Sequence, residues 1–202
     1  MAFNINEFKT NGLTLGGARP SLFQVNLSLP DALFASPFNA SNKFTFTCRA
    51  SSIPASSVAS FDVPYFGRKI KLAGDRTFAD WNVTIMNDED FAVRQMFEAW
   101  SSLINEHESN IKQVAANSYK TADAVVRQFS KNGDILNNSQ YTFIGMFPTE
   151  ISAMDLDWDA TNAVQTFNVT FAYDYWVVGD RSSRPATVPP VTPPTGQTFP
   201  GW

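Results

Sequence analysis

Apolar and polar residues alternate along most of this chain, and that period restricts it to a β-rich fold. "LFQVNLSL" (22–29) sends Phe23, Val25, Leu27 and Leu29 to one side and Gln24, Asn26 and Ser28 to the other, as a half-buried strand requires. "KFTFTCRA" (43–50) sets Phe44, Phe46 and Cys48 against Thr45, Thr47 and Arg49, and "DWNVTIM" (80–86) turns Trp81, Val83 and Ile85 inward. The same reasoning predicts strands at 58–63, 68–72, 125–130, 140–147 and 151–158, and a longest one at 164–176. "KNGD" (131–134) supplies an Asn-Gly turn between two of them.

One segment changes period. From 88 to about 106, Val93, Met96, Phe97, Trp100, Leu103 and Ile104 recur at spacings of three and four, the apolar stripe of an amphipathic helix. Asn87 or Asp88 is placed to cap it, and Glu89 and Asp90 suit the positive end of its dipole. The stripe has the width needed to cover a sheet, so it reads as core. The predicted fold is therefore mainly β: an antiparallel β-sandwich or barrel-like subunit with one flanking α-helix.

Two segments stand apart from a unit spanning 19–180. Residues 1–18 form an N-terminal arm, and 181–202 a Pro-rich extended tail with six of the twelve prolines, a composition that excludes a sheet strand. Within the unit, "PDALFASPFNASN" (30–42) interrupts two strands as an insertion, and the polar stretch 105–123 reads as a loop.

With 202 residues, 44% of them hydrophobic, the chain can bury one ordinary core. Its charged fraction of 17% lies below the roughly 25% typical of soluble domains, which suggests a surface partly covered by partners. A net charge of −4 argues against binding phosphate through a basic face. One cysteine rules out an intrachain disulfide, and one histidine removes any multi-His site. Cys48 reads as a buried structural thiol. The N-terminus lacks a secretory pattern, and no run of about 18 apolar residues occurs, so folding in a cytoplasm without membrane insertion is expected.

An enzyme needs a constellation, and the expected motifs are missing. No phosphate-binding Gly-rich loop and no Gly-x-Ser-x-Gly occurs. "MDLDWDATN" (154–162) places Asp155, Asp157 and Asp159 at alternate positions, yet Ala160 stands where a calcium loop needs glycine and Thr166 where it needs glutamate. Two carboxylates two residues apart on a strand lie about 7 Å apart by geometry alone, so a glycosidase pair gains no specificity from the spacing. The sequence implies no cofactor and no metal.

Charge is segregated along the chain. Between Lys131 and Arg181 there is no Lys or Arg, while Asp134, Glu150, Asp155, Asp157, Asp159, Asp174 and Asp180 all fall there. "GRKIKLAGDRT" (67–77) gathers Arg68, Lys69, Lys71 and Arg76 against Asp75 alone. Two solvated faces are one reading. Complementary contacts between copies are another, and like charges aligned on a strand favour it, because they destabilise a sheet unless water or opposite charge relieves them. A third reading places the aspartates along a channel wall that repels nucleic acid.

"ARPSLFQV" (18–25), "GRKIKLAGDRTFADWNVTIMNDED" (67–90), "AVRQMFEAW" (92–100) and "LDWDATNAVQTFNVTFAYDYW" (156–176) resemble the tail tube proteins of contractile-tailed, myovirus-type bacteriophages over about residues 18–177. The resemblance implies a non-enzymatic virion subunit. Six copies would close a ring around a continuous inner barrel, and rings would stack into the tube that conducts the genome. Its implied partners are itself, the sheath protein, the baseplate hub, the tape-measure protein and the tail terminator, with DNA only as passing cargo. It also implies assembly in the host cytoplasm and residence in the virion tail. The insertion at 30–42 and the Pro-rich tail depart from the compact family form. Two alternatives stay open: the tube of a related secretion or injection system, and a carbohydrate-binding β-sandwich using Trp158 and Trp176 as a sugar platform.

Overall fold

The computed structural model describes residues 5–179 apart from positions 14, 15, 35, 113, 121 and 137; the Pro-rich tail lies outside the described residues. Among the described residues there are nine strands: β1 (Phe23–Ser28), β2 (Cys48–Ala50), β3 (Ser57–Tyr65), β4 (Arg68–Thr77), β5 (Trp81–Met86), β6 (Ala122–Gln128), β7 (Tyr141–Ile151), β8 (Thr166–Ala172) and β9 (Tyr175–Val178). Seven of them form one antiparallel, nearly closed barrel-like sheet in the order β1-β6-β7-β8-β5-β2, with β9 also beside β7. The remaining two, β3 and β4, pair only with each other.

Helices are α1 (Ile5–Glu7), followed by one π-helical turn over Phe8–Gly12, then α2 (Asp31–Phe34), α3 (Ser41–Thr47), α4 (Ala92–Ile104) and α5 (Ala116–Tyr119). The described part of the N-terminal arm is thus partly helical and exposed.

The alternation read from sequence appears directly in β5 and β8. Trp81, Val83 and Ile85 are buried, as are Phe167, Val169 and Phe171 on the neighbouring strand. Helix α4 covers this face with Val93, Met96, Phe97 and Trp100. Phe97 meets Phe171 edge-on at 5.7 Å between ring centres, and Trp81 stacks on Phe143 at 4.4 Å. Each such side chain contributes roughly 1.5–3 kcal/mol by leaving water.

β7 joins the two limbs of the sheet. Its first half lies between β6 and β9, its second half beside β8. From Tyr141 to Pro148 the line β8–β9 runs along it in one register, Ile144 opposite Tyr175 and Phe147 opposite Ala172, interrupted at Tyr173–Asp174; the register slips by one residue between Pro148 and Glu150. Opposite that break stands Gly145 at φ 67°, where an added Cβ would come within 2.4 Å of the Asp174 carboxylate. Glycine alone fits there. Asp174 is fixed in turn by accepting from Lys120 Nζ at 2.6 Å.

The structure corrects four local expectations. "KFTFT" is the helix α3, not a strand: Phe44 is buried against Phe97 while Phe46 is exposed. The Thr45 and Thr47 hydroxyls donate back to the carbonyls of Ser41 and Lys43, the contact with the carbonyl four residues back that threonine makes inside a helix. The flanking helix begins at Ala92 rather than 88. Asp90 accepts from the Ala92 N–H, and Asn87 instead donates to the Gln165 side chain. Residues 164–176 divide into β8 and the start of β9. Finally, β7 ends at Ile151 and no strand covers 152–158.

The insertion at 30–42 is integrated into the core, since Leu33 and Ala40 are buried with it. Within the 105–123 stretch, Tyr119 of α5 packs edge-on against Phe147.

Candidate self-assembly surface

The β3–β4 hairpin stands free of the sheet, and every residue along it is exposed except Gly74, which is half-buried. Its register sorts the side chains into two faces, because directly opposed residues share a face and neighbours alternate, except between Val58 and Ser60, where β4 carries one extra residue as a bulge and so brings Arg76 to the face of Lys69 and Lys71. Phe61 opposite Leu72, Val63 opposite Ile70 and Tyr65 opposite Arg68 form an apolar face with one cation near the tip. Val58 opposite Arg76, Asp62 opposite Lys71 and Pro64 opposite Lys69 form the other. Lys69 lies 3.9 Å from Asp62. Among the described residues neither Lys71 nor Arg76 meets a carboxylate. The four basic residues singled out in the sequence therefore do not form one surface: Arg68 is on the apolar face and the other three are on its reverse.

The tip adds a second signal. Phe66 (φ 41°) and Gly67 (φ 78°) both adopt left-handed backbone, as the two-residue turn that matches strand twist requires. Asparagine or glycine serves that position at little cost, whereas a bulky residue there is strained. Yet this chain places a phenylalanine there, 92% exposed and in edge contact with Tyr65. An isolated two-stranded hairpin is marginal in water, and a bare apolar face with an aromatic tip makes this one a candidate interaction surface.

Asp155, Asp157 and Asp159 lie on the exposed loop 152–165, not on one side of a strand. Leu156 and Trp158 alternate with them but have no core to enter, so the period that elsewhere makes strands leaves two bare apolar groups here; Trp158 is fully exposed. Asp157 shapes the loop by accepting from the Asp159 N–H at 3.0 Å. No cation contacts any of the three among the described residues.

Other candidates are occupied by structural work. A cleft of about 890 Å³ lies between α4 and the end of β7. Its Arg94 is tied to Glu98 at 2.8 Å and to the Ser152 carbonyl at 3.1 Å, and lies over the Phe167 ring. Cys48 is half-buried against the core, and burial pushes its thiol up to about 12, the range of an inert thiol. Trp176 donates to the Ala55 carbonyl and packs on Tyr141, so it does not pair with Trp158 as a platform. Among the described residues no three His, Cys, Asp or Glu side chains gather to hold a metal ion, and no helix is long and apolar enough to cross a membrane.

The sequence had shown the charges of this surface but not its isolation. The unused signal was "YFGR" (65–68), two residues separating alternating segments with a phenylalanine where a solvent-facing turn favours asparagine.

Comparison with known proteins bears on these features. Residues 18–179 match the phage tail tube protein family. The chain is 40% identical over 159 residues to tail tube protein gp19 of Enterobacteria phage T4, covering 79% of this chain and 90% of that one. It is 25% identical over 180 residues to the tail tube protein of Serratia phage KSP90, covering 88% and 98%. Among solved structures it is similar to a chain of an extracellular contractile injection system, in its sheath/tube terminator in the extended state, at TM-score 0.56 and 14% identity over 81% and 97% of the two chains. A chain of the anti-feeding prophage baseplate gives TM-score 0.55 and 15% identity over 80% and 94%.

Proposed function

Because this chain belongs to the phage tail tube protein family, we propose that it is the structural subunit of the inner tube of a contractile phage tail. Six copies close into a ring, rings stack, and the lumen conducts the genome into the host. The observation that carries this reading is the freestanding hairpin. Among the described residues of one copy nothing covers Phe61, Val63, Ile70 and Leu72, whereas a second copy covers them when subunits associate head to tail, which closes rings when the rotation closes. The edge strands β1 and β2 offer further unpaired backbone for the same purpose.

Sheath protein, baseplate hub, tape-measure protein and tail terminator are the partners of such a tube, and the virion tail is its location. The baseplate and sheath/tube terminator assemblies in which structurally similar chains occur support sheath and end-of-tube contacts. The subunit is non-enzymatic. A net charge of −4 suits a conduit that passes DNA without holding it. The tube of a related injection system is the second reading, favoured by those fold similarities; the 40% identity to a phage protein weighs for the phage.

Two roles are open to Asp155, Asp157 and Asp159: a wall of the lumen or a contact between copies. A wall along which DNA slides has no use for the bare Leu156 and Trp158 between them. Contact is the better assignment.

Negative-stain microscopy of the purified chain tests the proposal. Rings of sixfold symmetry and stacked tubes are the expected particles. Single subunits at every concentration, salt level and nucleating partner would refute it.

A further inference from the structure

Resting on the tube reading, we propose that the cationic face of the β3–β4 hairpin receives the 152–165 loop of a second copy. The hairpin offers Lys69, Lys71 and Arg76 on one face beside Val58 and Pro64, with Asp62 opposite Lys71 and 3.9 Å from Lys69. The loop offers Asp155, Asp157 and Asp159 with Leu156 and Trp158 among them. Each surface is incomplete by itself. Lys71 and Arg76 have no carboxylate and the three aspartates have no cation among the described residues, so no ion pair joins the two surfaces within one copy.

Charge and shape select the occupant. The loop is an exposed acidic element, and the hairpin face, with three cations and Asp62 among them, carries a net charge of the opposite sign. Cations beside an indole also gain from its ring face. Exposed ion pairs contribute little by themselves, but once Trp158 and Leu156 exclude water the same pairs act at lower dielectric. The hairpin is then covered on both sides: its apolar face lies on the body of a neighbour, and its cationic face takes the acidic loop. That arrangement accounts for a lone hairpin carrying two unlike faces, both bare.

The test is a charge exchange in the full chain. Asp157 is left intact because it shapes the loop. Asp155→Lys/Asp159→Lys reverses the loop, Lys71→Glu/Arg76→Glu reverses the hairpin, and a third chain carries all four changes. All four sites are exposed, and circular dichroism with thermal melting checks that each variant folds. Each double variant is expected to raise the concentration needed for assembly by on the order of tenfold or more, since about 1.4 kcal/mol gives a factor of ten. The fourfold variant should recover most of that loss, and Trp158→Ala alone should weaken assembly without altering the melt.

Recovery in the fourfold chain supports the pairing. A fourfold chain no better than the two double variants, or either double variant assembling like the unmodified chain, overturns it while leaving the tube reading intact. Failure of the unmodified chain to assemble at all overturns the tube reading itself.

Discussion

β5 and β3 are both antiparallel strands with alternating side chains, yet their fates are opposite. In β5 the inward residues Trp81, Val83 and Ile85 are buried beneath α4, whereas in β3 Phe61 and Val63 are as exposed as the polar residues between them. Alternation therefore specifies that one face of a strand requires a cover. It does not specify which chain supplies the cover. The body of this subunit satisfies its own faces, and in the proposed tube the hairpin's faces are left to another copy.

Excising the hairpin should separate the two regions most completely. Ser57 and Thr77 are paired partners, so a short Gly-rich link can replace 58–76 without moving the ends. Assembly should be lost altogether, while the thermal transition of the monomer stays where it was. A large fall in melting temperature would mean that the hairpin belongs to the core.

Matched substitutions sharpen the contrast. Phe97→Ala, which empties a site lined by Phe44, Trp100 and Phe171, should cost about 3–5 kcal/mol in denaturant unfolding. Phe61→Ser on the hairpin should change monomer stability by less than about 0.5 kcal/mol and act on assembly instead. Phe66→Asn is a finer probe, because it gives the turn a residue suited to φ 41° while removing the aromatic tip. We expect the hairpin itself to gain order and assembly to weaken about tenfold, as loss of an aromatic anchor does. Unchanged assembly would make the tip a bystander.

The smallest expected effect lies in the body. Lys43 of α3 donates to Asp88 and Asp90 just before α4, and those contacts hold both carboxyls below their ordinary 3.8 while raising the ammonium above its ordinary 10.5. A lowered carboxyl stabilises the folded chain fully above 3.8 and loses that contribution as pH falls through the lowered value. A raised ammonium contributes fully below 10.5 and loses it as pH climbs through the raised value. Unfolding of the parent chain and of Lys43→Ala should therefore differ slightly at neutral pH and converge in acid, with no such convergence for assembly at moderate pH.

Much of the body was legible because local period and burial agree there. Val93, Met96, Phe97 and Trp100 sit on one helical face and are buried on it, and β5 and β8 alternate as read. Where burial has another cause, the period misleads. Phe44, Phe46 and Cys48 alternate in sequence, yet a helix there buries Phe44 beside Phe97 and leaves Phe46 in solvent. Leu156 and Trp158 alternate with aspartates on a loop. The assembly surface was half legible. Opposite charges in "GRKIKLAGDRT" and "MDLDWDATN" were visible, but the split of the cations between two faces depends on the pairing of β3 with β4, which composition does not encode.

Hydrogen–deuterium exchange of the 57–77 amides, compared between dispersed subunits and assembled tubes, tests the central claim most directly. Rapid exchange in the subunit and strong protection in the tube, with the β5 and β8 amides protected in both, is the predicted result. Hairpin amides that exchange at the same rate in both states would contradict the account.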